Sequence, residues 1–367
     1  MELNQECILL QNELKKFAQQ VILEKVDELD KACSLPLDNI KQLAEMGILG
    51  AVIPEDMGGS ALDLIGLVVS LEEISKVCTS TAIIIATHNA FFAYPILKFG
   101  SDDMKKKYLP PAATGDVVGG FANVYTNEIK IEKQGDNILV NGKNSFVLNA
   151  EANGPFTTFV SSPEDENTIS AFVVDGDAQG IKRSKNNSII GLRAAGIGEV
   201  LFENYSATSD TMIGKINEGS GVLHATNDFA KVCLSAIALG IAQGATAEAI
   251  KYAKERIQFG EPIVNFGMIR EKIAEMTTKI EAARLLTYEA AMHYDAGKNY
   301  SRAAAIAKYF TGHTAVEITT SAIQILGGYG YMKDYPVERY FRDAQVLNVL
   351  CGTPVDEKER IVKETIG

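Results

Sequence analysis

Residues 230–257 read AKVCLSAIALGIAQGATAEAIKYAKERI, with small and apolar side chains on more than one helical face. A surface helix carries one apolar stripe, so a helix that is apolar on several faces is expected to lie buried between neighbours. Two more long helical patterns follow, IREKIAEMTTKIEAARLLTYEAAMHYDAGK (269–298) and SRAAAIAKYFTGHTAVEITTSAIQIL (301–326). Together they predict an antiparallel four-helix bundle over 216–367. Upstream the texture changes. IKIEKQGDNILVNGKNSFVL (129–148) has short alternating runs broken by Gly-Asp-Asn and Asn-Gly, which are hairpin signals. TFVSS, ISAFVVDG, GIKRSK and EVLFENY continue that pattern, so 116–215 is expected to be a small antiparallel β domain. Residues 1–115 read as helices again, with Gly50 at a stop position and PEDMGG (54–59) as a loop. SDDMKKKYL opens with a Ser–Asp cap signal and is expected to end before Pro110 and Pro111. The order is helices, strands, helices. That is an α+β fold, mostly α, and the lack of βαβ alternation argues against a Rossmann domain.

Composition narrows the class of function. The chain has 367 residues, 46% apolar and 22% charged, which excludes a disordered chain. A net charge of −12 argues against nucleic acid or anionic lipid as the main partner. Five scattered cysteines (Cys7, Cys33, Cys78, Cys233, Cys351) form neither a disulfide framework nor a CxxC metal site, so a reducing cytoplasm is expected. The N-terminus lacks the basic start and apolar core of a signal peptide. The apolar stretches around Ile83–Ile85 and Val232–Ala242 fall short of the roughly 18 residues that span a bilayer, so no membrane segment is expected.

Local motifs alone go little further. Gly327–Gly328–Tyr329–Gly330 is either a helix end followed by a turn or a phosphate cradle. The histidines have no HExxH spacing, no metal site is expected, and no GxSxG element is present. Lys105–Lys107 reads as a solvated face. Arg256 and Arg342 sit near glycines and aromatics, where an arginine either clamps phosphate bidentately or makes a surface salt bridge.

Read together, several segments resemble the acyl-CoA dehydrogenase family, over almost the whole chain. They are IPEDMGG (53–59), HNAFFAYPILKFGSDDMKKKYLP (88–110), GLR (191–193), ERIQFGEPI (255–263), AIQILGGYGY (322–331) and YPVERYFRDA (335–344). The resemblance implies an N-terminal helical domain, a middle β domain and a C-terminal four-helix bundle. It also implies FAD, and an acyl thioester on CoA or on an acyl or peptidyl carrier protein. In the family a glutamate takes the α-proton and the flavin accepts the β-hydride. The flavin lies between subunits, and an electron-transfer flavoprotein is the usual acceptor. Arg256 and Phe259 in RxxFG, with Gln324, Gly327 and Gly328 in QxxGGxG, match the residues that reach a neighbouring subunit's cofactor. Gly267 departs from that pattern, where the family often has glutamine.

The contacts expected around the same subunit's flavin are altered. The family's TEPxAGSD-like loop is absent from FANVYTNEIKIEK (121–133), which runs on shorter. A Trp-Ile-Thr element becomes Phe146–Val147–Leu148; Phe146 can still pack on a ring face, but Leu148 cannot donate the threonine hydrogen bond. The YEGT motif aligns with Leu350–Cys351–Gly352–Thr353, so Cys351 stands at the usual glutamate position and Thr353 is an expected cofactor contact. The alternative base position of some members falls on Ala230, followed by Lys231. Cys351 is then either a base of another kind or a small buried hydrophobe in vacated space. Three functions remain open: a divergent flavin-dependent oxidoreductase, outside ordinary β-oxidation and homo-oligomeric; a non-catalytic partner in a mixed oligomer with an intact paralogue; or a flavin-free scaffold.

Overall fold

A computed structural model describes residues 3–122, 129–134, 137–161, 168–186 and 188–366. The N-terminal helices are α1 (Gln5–Phe17), α2 (Leu23–Ala32), α3 (Leu37–Glu45), α4 (Leu64–Ser75), α5 (Thr79–Ala86), α6 (Tyr94–Phe99) and α7 (Asp102–Ala113). Their starts are chemically marked. The side chains of Asn4, Asp63 and Ser101 accept the backbone N–H of Cys7, Gly66 and Met104, satisfying donors that a helix start leaves free. Helix α7 runs through Pro110 and Pro111 instead of stopping before them. Each proline withholds one N–H from the carbonyl four residues back, at Lys106 and Lys107; both residues are exposed, so water can serve those oxygens.

The middle region holds β1 (Gly120–Ala122), β2 (Lys130–Gln134), β3 (Asn137–Leu148), β4 (Phe156–Ser161), β5 (Ile169–Val174), β6 (Ile181–Lys185) and β7 (Gly198–Ala207). The order is β5-β4-β1-β3-β7-β6, with β2 also on β3. The sheet is not purely antiparallel as the hairpin signals predict: β1 pairs parallel with β4 (Phe121 opposite Thr157). The reason is topological. Strands β3 and β4 run in opposite directions, and the three-residue β1 slots between them, so it must be parallel to one. Phe121 then stacks on Phe91 of the helical layer with centroids 4.4 Å apart, joining sheet to helices.

The C-terminal region comprises α8 (Gly219–Glu255), a β8–β9 hairpin (Ile257–Gln258, Glu261–Pro262), α9 (Gly267–Asp295), α10 (Ser301–Leu326), α11 (Val337–Val349) and α12 (Pro354–Ile366). The short apolar stretches belong to longer helical runs, Thr79–Phe99 and Gly219–Glu255, both long and apolar enough to cross a membrane by length and composition. Most of each apolar window, 83% and 94%, is buried inside the protein, as core helices require. Close contact sets the small residues of α8: a Cβ on Gly240 would fall 1.9 Å from Ser75 Oγ, and one on Gly244 2.8 Å from the Tyr340 hydroxyl.

Candidate functional site

Two groups of residues singled out by sequence lie in opposite surroundings. The first is outward. Arg256 closes α8, its N–H bonded to Tyr252 O at 2.9 Å, and its guanidinium sits 5.7 Å from the Tyr329 ring centroid. The β8–β9 turn places Phe259 (φ 51°) and Gly260 (φ 88°) in the left-handed region that a tight hairpin demands, which leaves Phe259 96% exposed. Helix α10 ends at Leu326, and Gly327 follows at φ 60°, ψ −131°, a backbone open essentially to glycine alone. Gln324 is exposed one turn before. A groove of about 500 Å³ runs between Arg256, Ile263, Gly327, Gly328 and Tyr329. Another, of about 620 Å³, is lined by Phe259, Gly267, Met268 and Gln324.

The glycines of this cluster separate by cause. Gly330 is required by packing, since a Cβ there would meet Ile323 O at 2.6 Å. Gly327 is required by its dihedrals. Gly328 is required by neither: a Cβ would meet nothing within 4 Å, and its φ is not positive. A glycine without an internal reason fits a surface that something outside the chain approaches closely. Gly267, where the resemblance expects glutamine, is open in the same way.

The second group is inward. Cys351 lies between α11 and α12 at φ 64°, buried, and its Sγ donates to Asn227 Oδ1 of α8 at 3.2 Å. Burial pushes its thiol up to about 12, with Glu357 adding to that rise and Lys231 and Lys308 opposing it. Near neutral pH this is a protonated thiol, a poor proton acceptor. Ala230, the alternative base position, is fully buried one helical turn from Asn227. Around Cys351 stand charges of which the sequence reading names Lys231 alone. Lys231 Nζ lies 3.0 Å from Glu357 Oε2 and 4.0 Å from Asp228 Oδ1. Asp228 also accepts from Ser301 Oγ at 2.6 Å and lies 3.6 Å from Arg360. Lys308 donates to Leu347 O (3.1 Å) and Asn348 O (3.2 Å) in the last turn of α11, where Leu347 O also accepts the Leu350 N–H. Desolvation holds Lys308 down at about 8 and raises Glu357 above the ordinary carboxylate value.

The remaining predicted positions are scattered. Phe146 is half-buried against the helical core, and Leu148 is buried opposite Phe121 in the β1–β3 ladder. Thr353 is exposed and already engaged, its N–H and Oγ donating to Asp356 Oδ2 at 2.7 and 2.8 Å at the start of α12. The shortened loop expected over 121–133 falls at 123–128 outside the described residues. Arg342 is no phosphate clamp: it is engaged by Asp30 at 2.8 Å and Glu338 at 2.6 Å. Among the described residues no cluster of His, Cys, Asp or Glu could hold a metal ion.

The family models "Acyl-CoA dehydrogenase, N-terminal domain" and "Acyl-CoA dehydrogenase, C-terminal domain" match residues 4–116 and 217–363. The chain belongs to the acyl-CoA dehydrogenase family. An acyl-CoA dehydrogenase of Bacillus subtilis is 34% identical to it, with all of both chains covered. The butyryl-CoA dehydrogenase structure from Megasphaera elsdenii superposes over all of both chains at a TM-score of 0.95 and 29% identity. A prolyl acyl carrier protein oxidase does so at 0.93 and 25%, again over all of both chains. FAD is the cofactor of acyl-CoA dehydrogenases. The outward cradle fits such a group. It offers a guanidinium for diphosphate charge, an exposed aromatic ring, and a glycine whose open Cα face has no other explanation.

Proposed function

We propose that this acyl-CoA dehydrogenase family member is a flavin-dependent oxidoreductase acting on an acyl thioester, in an oligomer that shares FAD between subunits. The single observation carrying this reading is Gly328. It is open to solvent with no internal reason to be glycine, and it sits beside Arg256, Gln324 and Phe259. In this reading Arg256 and the Gly327–Gly328 backbone bind a neighbour's cofactor, and Phe146 and Thr353 lie toward the chain's own. When bound, the flavin supplies hydride acceptance; the protein's part is to hold the thioester, exclude water and receive the α-proton. Because Cys351 is neutral and no carboxylate stands at 351 or 230, ordinary β-oxidation through a loop glutamate is not the reaction as built. A short acyl thioester on CoA and an aminoacyl or hydroxyacyl thioester on a carrier protein are the two substrate forms to test. An electron-transfer flavoprotein is the matching acceptor.

The test is the visible spectrum of the purified protein, with acid-released flavin counted against chain. Near-stoichiometric FAD in a homo-oligomer is expected, bleaching with one of the two thioester forms. Colourless protein that refuses added FAD alone, but completes a flavin site when mixed with an intact paralogue, would replace this reading with a partner subunit. The retained outward face beside an altered inward site is the pattern such a partner would have.

A further inference from the structure

Helix α12 reads PVDEKERIVKETI and looks like a solvated charged helix, yet among its described residues the fully buried one is a glutamate. Glu357 is 1% exposed while Val355, Val362 and Ile366 face outward. Burying a carboxylate while exposing valines runs against the hydrophobic effect and needs a reason. The carboxylate is aimed at the Cys351 loop. Gly352 lies over it so closely that a Cβ would fall 2.7 Å from Glu357 Oε1. Lys231 holds the other oxygen at 3.0 Å, but neither oxygen receives a hydrogen bond of normal geometry from a described group. An acceptor that is buried, charged and under-satisfied beside the loop that carries the family's base is a candidate for the missing function.

We propose that Glu357 supplies the proton-accepting carboxylate of this site, delivered from α12 beneath the loop instead of from the loop itself. The proposal rests on the thioester oxidoreductase reading and names its base. Gly352, lacking a side chain, lets the loop backbone pack directly over the carboxylate. Lys231 opposes the desolvation that raises Glu357, and the net rise makes it a stronger base than an exposed glutamate. In the step itself the Cα–H bond of the thioester breaks and an O–H bond forms on Glu357. The electron pair stays on Cα, delocalised into the thioester carbonyl. In deuterated water the carboxyl exchanges its proton and returns a deuteron to Cα, so this half-reaction needs no oxidant.

Acetyl-CoA, which has no β-carbon and cannot be dehydrogenated, therefore isolates the step. The holoenzyme is incubated with it in deuterated water and Cα deuteration is followed by NMR. Wild-type exchange is expected, with Glu357→Gln lowering it at least about 100-fold and Glu357→Asp retaining part of it. Wild-type exchange should also fall off in acid as Glu357 protonates, a limb absent from Glu357→Gln. The groups facing Glu357 are Lys231 and Asp228 from α8, Lys308 from α10 and Cys351 from the loop, with Arg360 and His224 beyond Asp228. Of these, Lys308 at about 8 and Cys351 at about 12 change state on the alkaline side of that limb. A readout free of turnover is infrared difference spectroscopy on acidification, where a buried carboxyl band should vanish in Glu357→Gln. Exchange that survives Glu357→Gln but not Cys351→Ala overturns the proposal in favour of the thiol. No wild-type exchange also overturns it, and flavin bleaching by a carrier-bound hydroxyacyl thioester would then leave the broader oxidoreductase reading standing.

Discussion

The two ends of the bundle use charge in opposite ways. At the outward end, Arg256 and Phe259 stand in solvent around glycines whose open faces touch nothing. At the inward end, Lys231, Lys308, Asp228 and Glu357 are packed out of water around a neutral thiol. Exposed groups contribute little to folding and are free to be chosen for a ligand. Buried ions lower stability unless paired, so their retention points to a task or to a tight mutual dependence. The outward end is thus separable from the fold and the inward end is not.

The sharpest way to break that contrast is Lys231→Met. It leaves Glu357 buried and unpaired, with an expected loss of about 3–5 kcal/mol in urea unfolding. The double change Lys231→Met/Glu357→Leu should recover most of that. If the single change is harmless, the inward charges are not interdependent and the contrast fails.

A subtler probe is Lys308. Its folded pKa of about 8 lies below the ordinary 10.5, so folding disfavours the protonated form. The stability it contributes is fully present above pH 10.5 and is lost as pH falls through about 8. Wild type should therefore gain on Lys308→Met between those limits, by something on the order of 3 kcal/mol, in parallel unfolding titrations. Parallel curves would mean that Lys308 is not held by its burial.

The smallest stability effects belong to the outward glycines. Gly327→Ala should lower stability by about 1–3 kcal/mol through backbone strain. Gly328→Ala should change it by less than about 0.5 kcal/mol, yet reduce bound flavin in the same preparation. Unchanged flavin in Gly328→Ala would remove the main support for a shared cofactor at this face.

The fold was legible because its signals are redundant. Helical periodicity, cap residues and turn dipeptides all agree, and the misreadings are local. A proline pair was read as a stop where the last turn tolerates it. A three-residue strand is too short to announce its parallel pairing. The outward cluster proposed as a cofactor cradle was equally plain, since its residues fall within two short motifs, RxxFG and QxxGGxG. The inward site was not. Asn227, Lys231, Lys308 and Glu357 come from three helices, and a glutamate within DEKER looks like solvated charge until tertiary packing turns it inward. Sequence can report that position 351 lacks a carboxylate; it cannot report that another waits one turn into the next helix.

The five thiols, all unpaired and all buried, carry a practical consequence. A single cysteine placed on an exposed position, such as that of Met268 beside the Phe259 groove, would be the one accessible to maleimide labels under native conditions. The native chain thus already serves as a silent background for spin or fluorophore pairs. Distances measured across such pairs would test the proposed subunit assembly directly, without a cysteine-free variant having to be built first.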